Sequence, residues 1–204
     1  TCRANPLKLS FFLVIHEFFQ YHTFAMKHLK VVSLFSGCGG FDLGATSWEG
    51  LDIIWANDID VSAAQAYKHM VPCGEFHHRD IQEVKNFPSS DILIGCYPCT
   101  GFSVGARRRG RGMAERDLMN IKGNFLYKEF LRALKQSKPR YFFVENVTGM
   151  ISAKNGWFFE QQTEGFNEAG YKVHVGCLFG PDFGLAQSRS RILIVGIRSD
   201  IALD

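Results

Sequence analysis

The sequence predicts an α/β fold in which a mostly parallel, doubly wound sheet of seven strands has helices packed on both of its faces. Short apolar runs alternate along the chain with segments of helical periodicity. Runs that stay apolar over several residues are typical of strands buried on both faces, as in parallel sheets. This alternation of strand and helix therefore favours a doubly wound sheet.

Seven runs have the length and composition of strands: residues 31–35, 51–56, 75–78, 91–95, 141–144, 172–179 and 192–197. The last two runs are separated by a loop that contains no helix-length pattern. Because a parallel connection would need such a crossover, we expect these two strands to pair antiparallel as a hairpin at one edge of the sheet.

Three helices are predicted between the strands. Residues 61–70 follow Asp60, a suitable N-cap. Leu126, Phe130 and Leu134 recur at four-residue spacing and so share one helical face. A weaker helix over residues 157–169 ends at Gly170.

The composition indicates one globular domain. The chain has 204 residues, of which 46% are hydrophobic and 21% charged, and its net charge is +3. This length can bury a sizeable core, and so small a charge permits a nucleic-acid partner without arguing for one. We expect a cytoplasmic protein with no metal site, since Cys96 and Cys99 form a lone C-x-x-C pair and the other cysteines look like reduced thiols.

The first 25 residues differ in character from the rest. Their apolar stretch, residues 9–19, is interrupted by His16 and Glu17, so it is too short and too polar to cross a bilayer. It also lacks the small-residue cleavage site of a signal peptide. We expect residues 1–25 to be an upstream extension of a domain that starts at Met26, with an extra helix packed on the domain as the alternative.

Cys99 stands where the predicted strand 91–95 opens into a loop that contains five arginines: Arg107, Arg108, Arg109, Arg111 and Arg116. A cationic environment favours the thiolate, which is the nucleophilic form of cysteine. The pattern therefore predicts covalent chemistry on a polyanion. A thioredoxin-like redox role is disfavoured, because the glycine-rich sequence after Cys99 is a poor start for a helix.

A glycine-rich turn follows the first strand and precedes a helical stretch. It consists of Phe35, Ser36, Gly37, Cys38, Gly39 and Gly40. Glycine lets a ligand approach the backbone, and a helix start offers N–H groups to it. The spacing is neither that of a dinucleotide site nor that of a P-loop, so it favours another nucleotide or an adenosyl ligand, with a purely structural turn as the alternative.

Two acidic residues stand where further contacts to such a ligand are expected. Asp58, at the end of the second strand, is placed to hold a ribose diol. Its alternative role is a helix cap, which Asp60 can fill instead. Asp80, after Phe76-His-His-Arg79, ends the third strand and could reach the adenine.

Glu145 directly follows the run 141–144, so we expect its carboxyl group at the carboxyl edge of the sheet, where open α/β sheets bind ligands. It can donate a proton there, or pair structurally with an arginine.

Gln187, Arg189 and Arg191 alternate with period two and so share one face. Arginines there meet an anion or a carbonyl, or else protect a solvated edge strand.

Together these motifs closely resemble those of the cytosine carbon-5 DNA methyltransferase family, from about Val31 to Arg198. The resemblance lies in the turn at 35–40, Pro98-Cys99, Glu145-Asn146-Val147 and the Gln-x-Arg-x-Arg element, in this order. It implies the Rossmann-like fold of adenosylmethionine-dependent methyltransferases, with S-adenosylmethionine as cofactor, DNA as partner, no metal and no membrane. The catalytic residues implied are Cys99, Glu145, Arg189 and Arg191. The cofactor contacts implied are Phe35, Ser36, Gly37, Cys38, Gly39, Gly40, Asp58, Ile59, Asp80, Ile81 and Pro98.

The family resemblance also implies a mechanism. The Cys99 thiolate adds to carbon-6 of a cytosine that has been flipped out of the duplex, because that atom is unreachable inside the base stack. Glu145 contacts N3 and stabilises the protonated ring, while Arg191, with Arg189 nearby, contacts the base carbonyl. Carbon-5 then takes the methyl group, and elimination frees the enzyme. The loop 103–116 would close over the base, with its arginines on phosphates.

The sequence departs from the family in two ways. Thr100 stands where the family commonly has glutamine, and we expect it to be tolerated because its hydroxyl can still form a hydrogen bond. The chain also reaches Asp204 just after the Gln-x-Arg-x-Arg strand, whereas the family continues into a target-recognition domain. We therefore expect residues 26–204 to be a catalytic domain truncated before that domain, which a missing C-terminal part or a partner chain would supply. The alternatives are an inactive fragment that binds cofactor or DNA weakly, and an RNA-acting member of the same family.

Overall fold

The computed structural model describes residues 28–98 and 118–201 and contains a seven-stranded sheet. The strands are β1 (Leu29–Leu34), β2 (Leu51–Asp58), β3 (Glu75–His78), β4 (Ile92–Gly95), β5 (Tyr141–Val147), β6 (Tyr171–Phe179) and β7 (Ser190–Arg198). Their order across the sheet is β3-β2-β1-β4-β5-β7-β6. Strands β1 to β5 pair in parallel, and β7 runs antiparallel to both β5 and β6. The predicted fold class and the antiparallel edge hairpin are confirmed.

The α-helices are α1 (Gly40–Thr46), α2 (Val61–Met70), α3 (Tyr127–Ser137), α4 (Gly149–Ser152) and α5 (Trp157–Glu168). Short 3₁₀ segments cover Ile81–Glu83, Leu118–Asn120, Lys122–Phe125, Ala153–Gly156 and Gly180–Phe183. Asp60 caps α2 as predicted, since its Oδ1 accepts the Ala63 N–H at 2.7 Å. Across residues 28–98 and 118–201, we find no helix with the length and apolar character needed to span a membrane.

The sheet has one apolar layer on each face, because side chains alternate along every strand. On one face, Val32, Phe142 and Val144 pack in the same cluster as Phe130 of α3 and Phe166 of α5. On the other face, Val31, Ile92 and Phe143 belong to the cluster that contains Tyr67 of α2 and packs against Phe41 of α1. Helices thus cover both faces, as the continuous apolar runs predicted.

Several strand ends near the proposed ligand edge differ from the predicted ones. Phe35 has a left-handed backbone with φ 56°, so β1 ends one residue earlier than expected. β2 extends beyond Ala56 to Asp58. β5 extends beyond Val144 to Val147, because β7 pairs with its last three residues, and Glu145 therefore lies inside the strand. β3 ends at His78, the end of its predicted run, so Asp80 stands in the following connection and not at the strand end.

Candidate functional site

The residues singled out from the sequence gather along the carboxyl edge of the parallel strands. Asp58 ends β2, the glycine-rich turn follows β1, Pro98 follows β4, and Glu145 lies near the end of β5. Since the order of these strands in the sheet is β2-β1-β4-β5, the residues form one continuous row. β7 runs antiparallel to β5, which brings Arg191 opposite Val147 at the same edge.

The glycine-rich turn is fastened to the end of β2 by backbone hydrogen bonds. The Ser36 N–H donates to the Asn57 carbonyl at 2.9 Å, and the Gly37 N–H donates to Asp58 Oδ2 at 2.7 Å. Asp58 Oδ1 accepts the Asp60 N–H at 2.9 Å. The Asp58 carboxylate thus lies against the turn, and Asp60 rather than Asp58 provides the side-chain cap of α2.

Gly39 and Gly37 both have a positive φ, but their surroundings differ. Gly39 has φ +86°, and a Cβ there would lie 2.5 Å from the Val71 side chain and 2.7 Å from the Tyr67 ring. Gly37 has φ +55°, and a Cβ there would meet nothing within 4 Å. The turn is therefore packed closely on α2 on one side and open on the other, as a backbone that cradles a ligand requires.

A buried polar network that sequence reasoning missed lies beneath this turn. Asp42 of α1 is 1% exposed, and its carboxylate accepts hydrogen bonds from the Ser33 hydroxyl at 2.9 Å and the Tyr67 hydroxyl at 2.8 Å. Burial raises the pKa of the Asp42 carboxyl group, while the hydrogen bonds from Tyr67 and Ser33 lower it. Burial also raises the pKa of the Tyr67 hydroxyl, and the nearby Asp42 carboxylate adds to that rise.

The spacing of Ala64, Tyr67 and Val71 on α2 could have indicated that Tyr67 faces the core. Nothing in the sequence indicated its hydroxyl partner, because Asp42 is far from it along the chain.

The remaining predicted cofactor residues differ in exposure. Ile59 is 63% exposed beside Asp58, and its carbonyl is 3.0 Å from His78 Nε2. Asp80 Oδ1 accepts the Gln82 N–H at 2.9 Å and caps the following 3₁₀ turn. Ile81 is buried in the core, with 3% of its surface exposed. Of these three, the side chains of Ile59 and Asp80 are accessible to a ligand.

The nucleophile element is described only in part. Pro98 is exposed after β4, whereas Cys99, Thr100 and the arginine-rich loop lie outside the described residues. Cys38, Cys73 and Cys96 carry reduced thiols, but Cys177 on β6 is disulfide-bonded, so the expectation of reduced thiols is wrong for Cys177. The described residues contain no group of three or more side chains arranged to hold a metal ion.

Glu145 forms an ion-paired cluster with both predicted arginines. Its Oε1 lies 2.8 Å from Arg191 Nε and 3.7 Å from Arg189 Nη2. The side chains of Glu145 and Arg191 are 29% and 27% exposed, and that of Arg189 is 46% exposed. The predicted pairing of Glu145 with arginine is confirmed, and the carboxylate remains open to solvent.

The alternative interpretation of the two arginines as guards of an edge strand is wrong. β7 lies between β5 and β6, so Arg191 stands in an interior strand of the sheet. Gln187 and Arg189 precede the first residue of β7 and are exposed. Arg191 thus occupies an interior strand of the sheet and is paired there with the Glu145 carboxylate.

Comparisons with known proteins agree with this geometry. Residues 29–204 match the family described as C-5 cytosine-specific DNA methylase. The Type II methyltransferase M.BspRI of Lysinibacillus sphaericus is 36% identical over 200 residues, which cover 84% of this chain and 45% of that protein. The Type II methyltransferase M.BsuRI of Bacillus subtilis is 34% identical over 209 residues, which cover 89% of this chain and 46% of that protein.

A solved structure shows the same fold. The Dnmt2 methyltransferase of S. pombe superposes with a TM-score of 0.64 at 21% identity, covering 86% of this chain and 51% of that one. The fold and the edge site thus define an α/β protein of the Rossmann-like methyltransferase class. The chain belongs to the C-5 cytosine-specific DNA methylase family, and it spans less than half the length of the two bacterial relatives.

Proposed function

We propose that the chain carries the catalytic half of an enzyme that transfers a methyl group from S-adenosylmethionine to carbon-5 of cytosine in DNA. The observation that carries the proposal is the order of groups along the sheet edge. The turn after β1 and Asp58 of β2 lie on one side, Glu145 and Arg191 on the other, and Pro98, which follows β4, between them. Methyl transfer to a cytosine ring needs a methyl donor, a nucleophile and a group that binds the base, in that spatial order.

The turn fits an adenosyl ligand. Positions 37 and 40 have open space where a Cβ would stand, so a ligand can approach the backbone there. Asp58 lies against this turn and can accept hydrogen bonds from a ribose diol, while the exposed Ile59 offers an apolar surface to a flat base. When bound, S-adenosylmethionine supplies an electrophilic methyl group, and these residues hold it at the end of β1.

The residues of the chain act on the cytosine ring in successive steps. The Cys99 sulphur forms a bond to carbon-6, which makes carbon-5 nucleophilic, and Glu145 hydrogen-bonds at N3 as charge develops there. Carbon-5 would take the methyl group as its bond to the sulphonium sulphur breaks and S-adenosylhomocysteine leaves. Carbon-5 then loses its proton to water, and the electrons of that C–H bond expel the Cys99 thiolate. Arg191, oriented by Glu145 at 2.8 Å, contacts the base carbonyl, with Arg189 beside it.

DNA is the proposed partner, and the part of the enzyme that reads its sequence is proposed to lie in another segment or chain. Arginines of the 103–116 loop would hold phosphates, which gives binding that is independent of sequence and falls with salt. The matched family, described as C-5 cytosine-specific DNA methylase, favours DNA over RNA as the substrate.

Covalent trapping tests the proposed nucleophile. Duplex DNA with 5-fluorocytosine cannot lose a proton from carbon-5, so the sulphur–carbon adduct accumulates and shifts the protein band on a denaturing gel. We expect the adduct in wild type and in Cys96→Ser, and its loss in Cys99→Ser. An adduct that survives Cys99→Ser but not Cys96→Ser would show that Cys96, and not Cys99, is the nucleophile.

Calorimetry on the same samples separates binding from turnover. We expect S-adenosylhomocysteine, the demethylated product, to bind the wild-type chain. Binding without an adduct would favour the alternative that this chain alone does not turn over. A folded chain that neither binds the product nor forms an adduct would contradict the proposed function.

A further inference from the structure

Gln162 is a buried polar residue that none of the sequence motifs explains. It lies on α5 between Phe158 and Phe166, four residues from each, and therefore on the same helix face. Both phenylalanines are 0% exposed and Gln162 is 1% exposed. Such a stripe normally carries apolar side chains. An amide placed there costs free energy unless its polar atoms have partners.

Both ends of the Gln162 amide have partners. Nε2 donates to the Phe158 carbonyl at 2.9 Å and lies 3.3 Å from the Met150 sulphur. Oε1 accepts the Tyr97 hydroxyl at 2.5 Å. Because Nε2 is committed to its own helix, the amide is oriented with its oxygen toward Tyr97.

Tyr97 is held from other sides as well. Its carbonyl accepts a hydrogen bond from Asn146 Nδ2 at 3.4 Å. Its ring lies edge-on to Phe35 of the glycine-rich turn, with centroids 6.2 Å apart. The Cys96 N–H donates to the Leu34 carbonyl at 3.2 Å, so the ladder with β1 reaches the residue just before Tyr97.

We propose that Gln162 and Tyr97 form an anchor that fixes the direction in which the chain leaves β4 toward Pro98 and Cys99. Gln162 is then a positioning residue that acts through Tyr97. Pro98 has a fixed φ, so the backbone that leads to Cys99 keeps few degrees of freedom once Tyr97 is held. The consequence for catalysis rests on the proposed role of Cys99, whereas the anchor itself does not.

Three variants of the full chain and one control variant test the anchor. Tyr97→Phe removes one hydroxyl and keeps the ring contacts, and Gln162→Leu removes the amide. Tyr171→Phe is the matched control, since Tyr171 is also buried and its hydroxyl donates to the Pro139 carbonyl at 2.7 Å, in another part of the sheet. The double variant Tyr97→Phe/Gln162→Leu removes both polar partners, so it leaves neither of them unsatisfied if a single variant fails to fold.

The reporter is the half-buried Cys96 thiol, adjacent to Tyr97 in the chain. The reduced proteins are treated with iodoacetamide, and mass spectrometry compares the alkylation rate at Cys96 with that at the exposed Cys38. We expect the alkylation rate at Cys96 to rise roughly five- to tenfold in the two single variants, which is the factor that corresponds to one lost hydrogen bond. The double variant should show a similar rise. Tyr171→Phe should stay within about twofold of wild type. Equal alkylation rates at Cys96 in the anchor variants and in Tyr171→Phe would overturn the proposal that Gln162 and Tyr97 form an anchor.

A second readout separates positioning from general loosening. We expect the rate of adduct formation with 5-fluorocytosine DNA to fall roughly tenfold in Tyr97→Phe and Gln162→Leu, because a displaced nucleophile loses its near-attack geometry. The affinity for S-adenosylhomocysteine should stay unchanged. An adduct rate equal to that of Tyr171→Phe would overturn the positioning role. A folded wild-type chain that neither forms the adduct nor binds S-adenosylhomocysteine would contradict the proposed function. The Cys96 alkylation rates would still decide whether Gln162 and Tyr97 form the anchor.

Discussion

The two ends of the functional edge are built differently. At the β1–β2 end, the glycine-rich turn is supported from beneath by Asp42, which is 1% exposed, and by Tyr67, which is fully buried. At the β5–β7 end, Glu145 and Arg191 meet across neighbouring strands with more than a quarter of each side chain exposed. One end is fixed by packing and buried hydrogen bonds, and the other by an ion pair in contact with water.

This difference has a consequence for mutations. A substitution under the turn disturbs groups that have no access to water, so its main cost is in the free energy of unfolding. A substitution at Glu145 or Arg191 disturbs groups that water can solvate, so its cost in the free energy of unfolding should be small. Under the proposed function, its main cost is in the reaction rate. We therefore expect the free energy of unfolding to respond most to a change that crowds the turn and least to a change at the ion pair.

The largest effect is expected at Gly39. In Gly39→Ala, the new Cβ would lie 2.5 Å from Val71 and 2.7 Å from the Tyr67 ring, at a backbone with φ +86°. The left-handed conformation costs about 1–2 kcal/mol and overpacking adds about 1–3 kcal/mol. We expect the free energy of unfolding, measured by urea denaturation, to fall by roughly 3 kcal/mol.

Gly37→Ala is the matched control. Its φ is +55°, but nothing lies within 4 Å of the added Cβ. It should lose only the conformational part, about 1–2 kcal/mol. Equal losses in the two variants would show that α2 does not support the turn, and the contrast between the two ends would then lose its packing argument.

The sequence predicted the order of strands and helices, because each buried strand is marked locally by an uninterrupted apolar run. The glycine turn and the positions of Asp58, Pro98 and Arg191 at one edge followed from that order. The extension of β5 to Val147 did not follow, since its cause is pairing with β7, which lies much later in the chain. Asp42 and Gln162 were missed for the same reason, because each is accommodated in the core by a tyrosine distant in sequence.

The second prediction concerns pH and Asp42. Burial raises the pKa of this carboxyl group from 3.8, so just above pH 4 the folded chain holds a proton that the unfolded chain has lost. The free energy of unfolding then falls as the pH rises through the folded pKa. Asp42→Asn does not titrate, so the stability of wild type relative to Asp42→Asn should be greatest near pH 4 and decline toward pH 7.

We expect this decline to be smaller than the loss of stability in Gly39→Ala, and its sign is what tests the prediction. Urea denaturation at a series of pH values measures it. Gly37→Ala removes no titrating group, so its difference from wild type should not vary with pH. A difference between wild type and Asp42→Asn that grows with pH would mean that hydrogen bonds from Ser33 and Tyr67 outweigh burial.

The smallest effect is expected at the Glu145–Arg191 pair. The Oε1–Nε distance is 2.8 Å, but the side chains are 29% and 27% exposed, so water competes with the pair. A double-mutant cycle with Glu145→Gln and Arg191→Gln should give a coupling below about 1 kcal/mol, and less at high salt. The same cycle with Asp42→Asn and Tyr67→Phe should give a larger coupling that salt hardly changes, because that pair is buried.

A coupling above about 2 kcal/mol for Glu145 and Arg191 would place the pair among the interactions that hold the fold together. The carboxylate would then be committed to the arginine, and the β5–β7 end would be as rigidly built as the β1–β2 end.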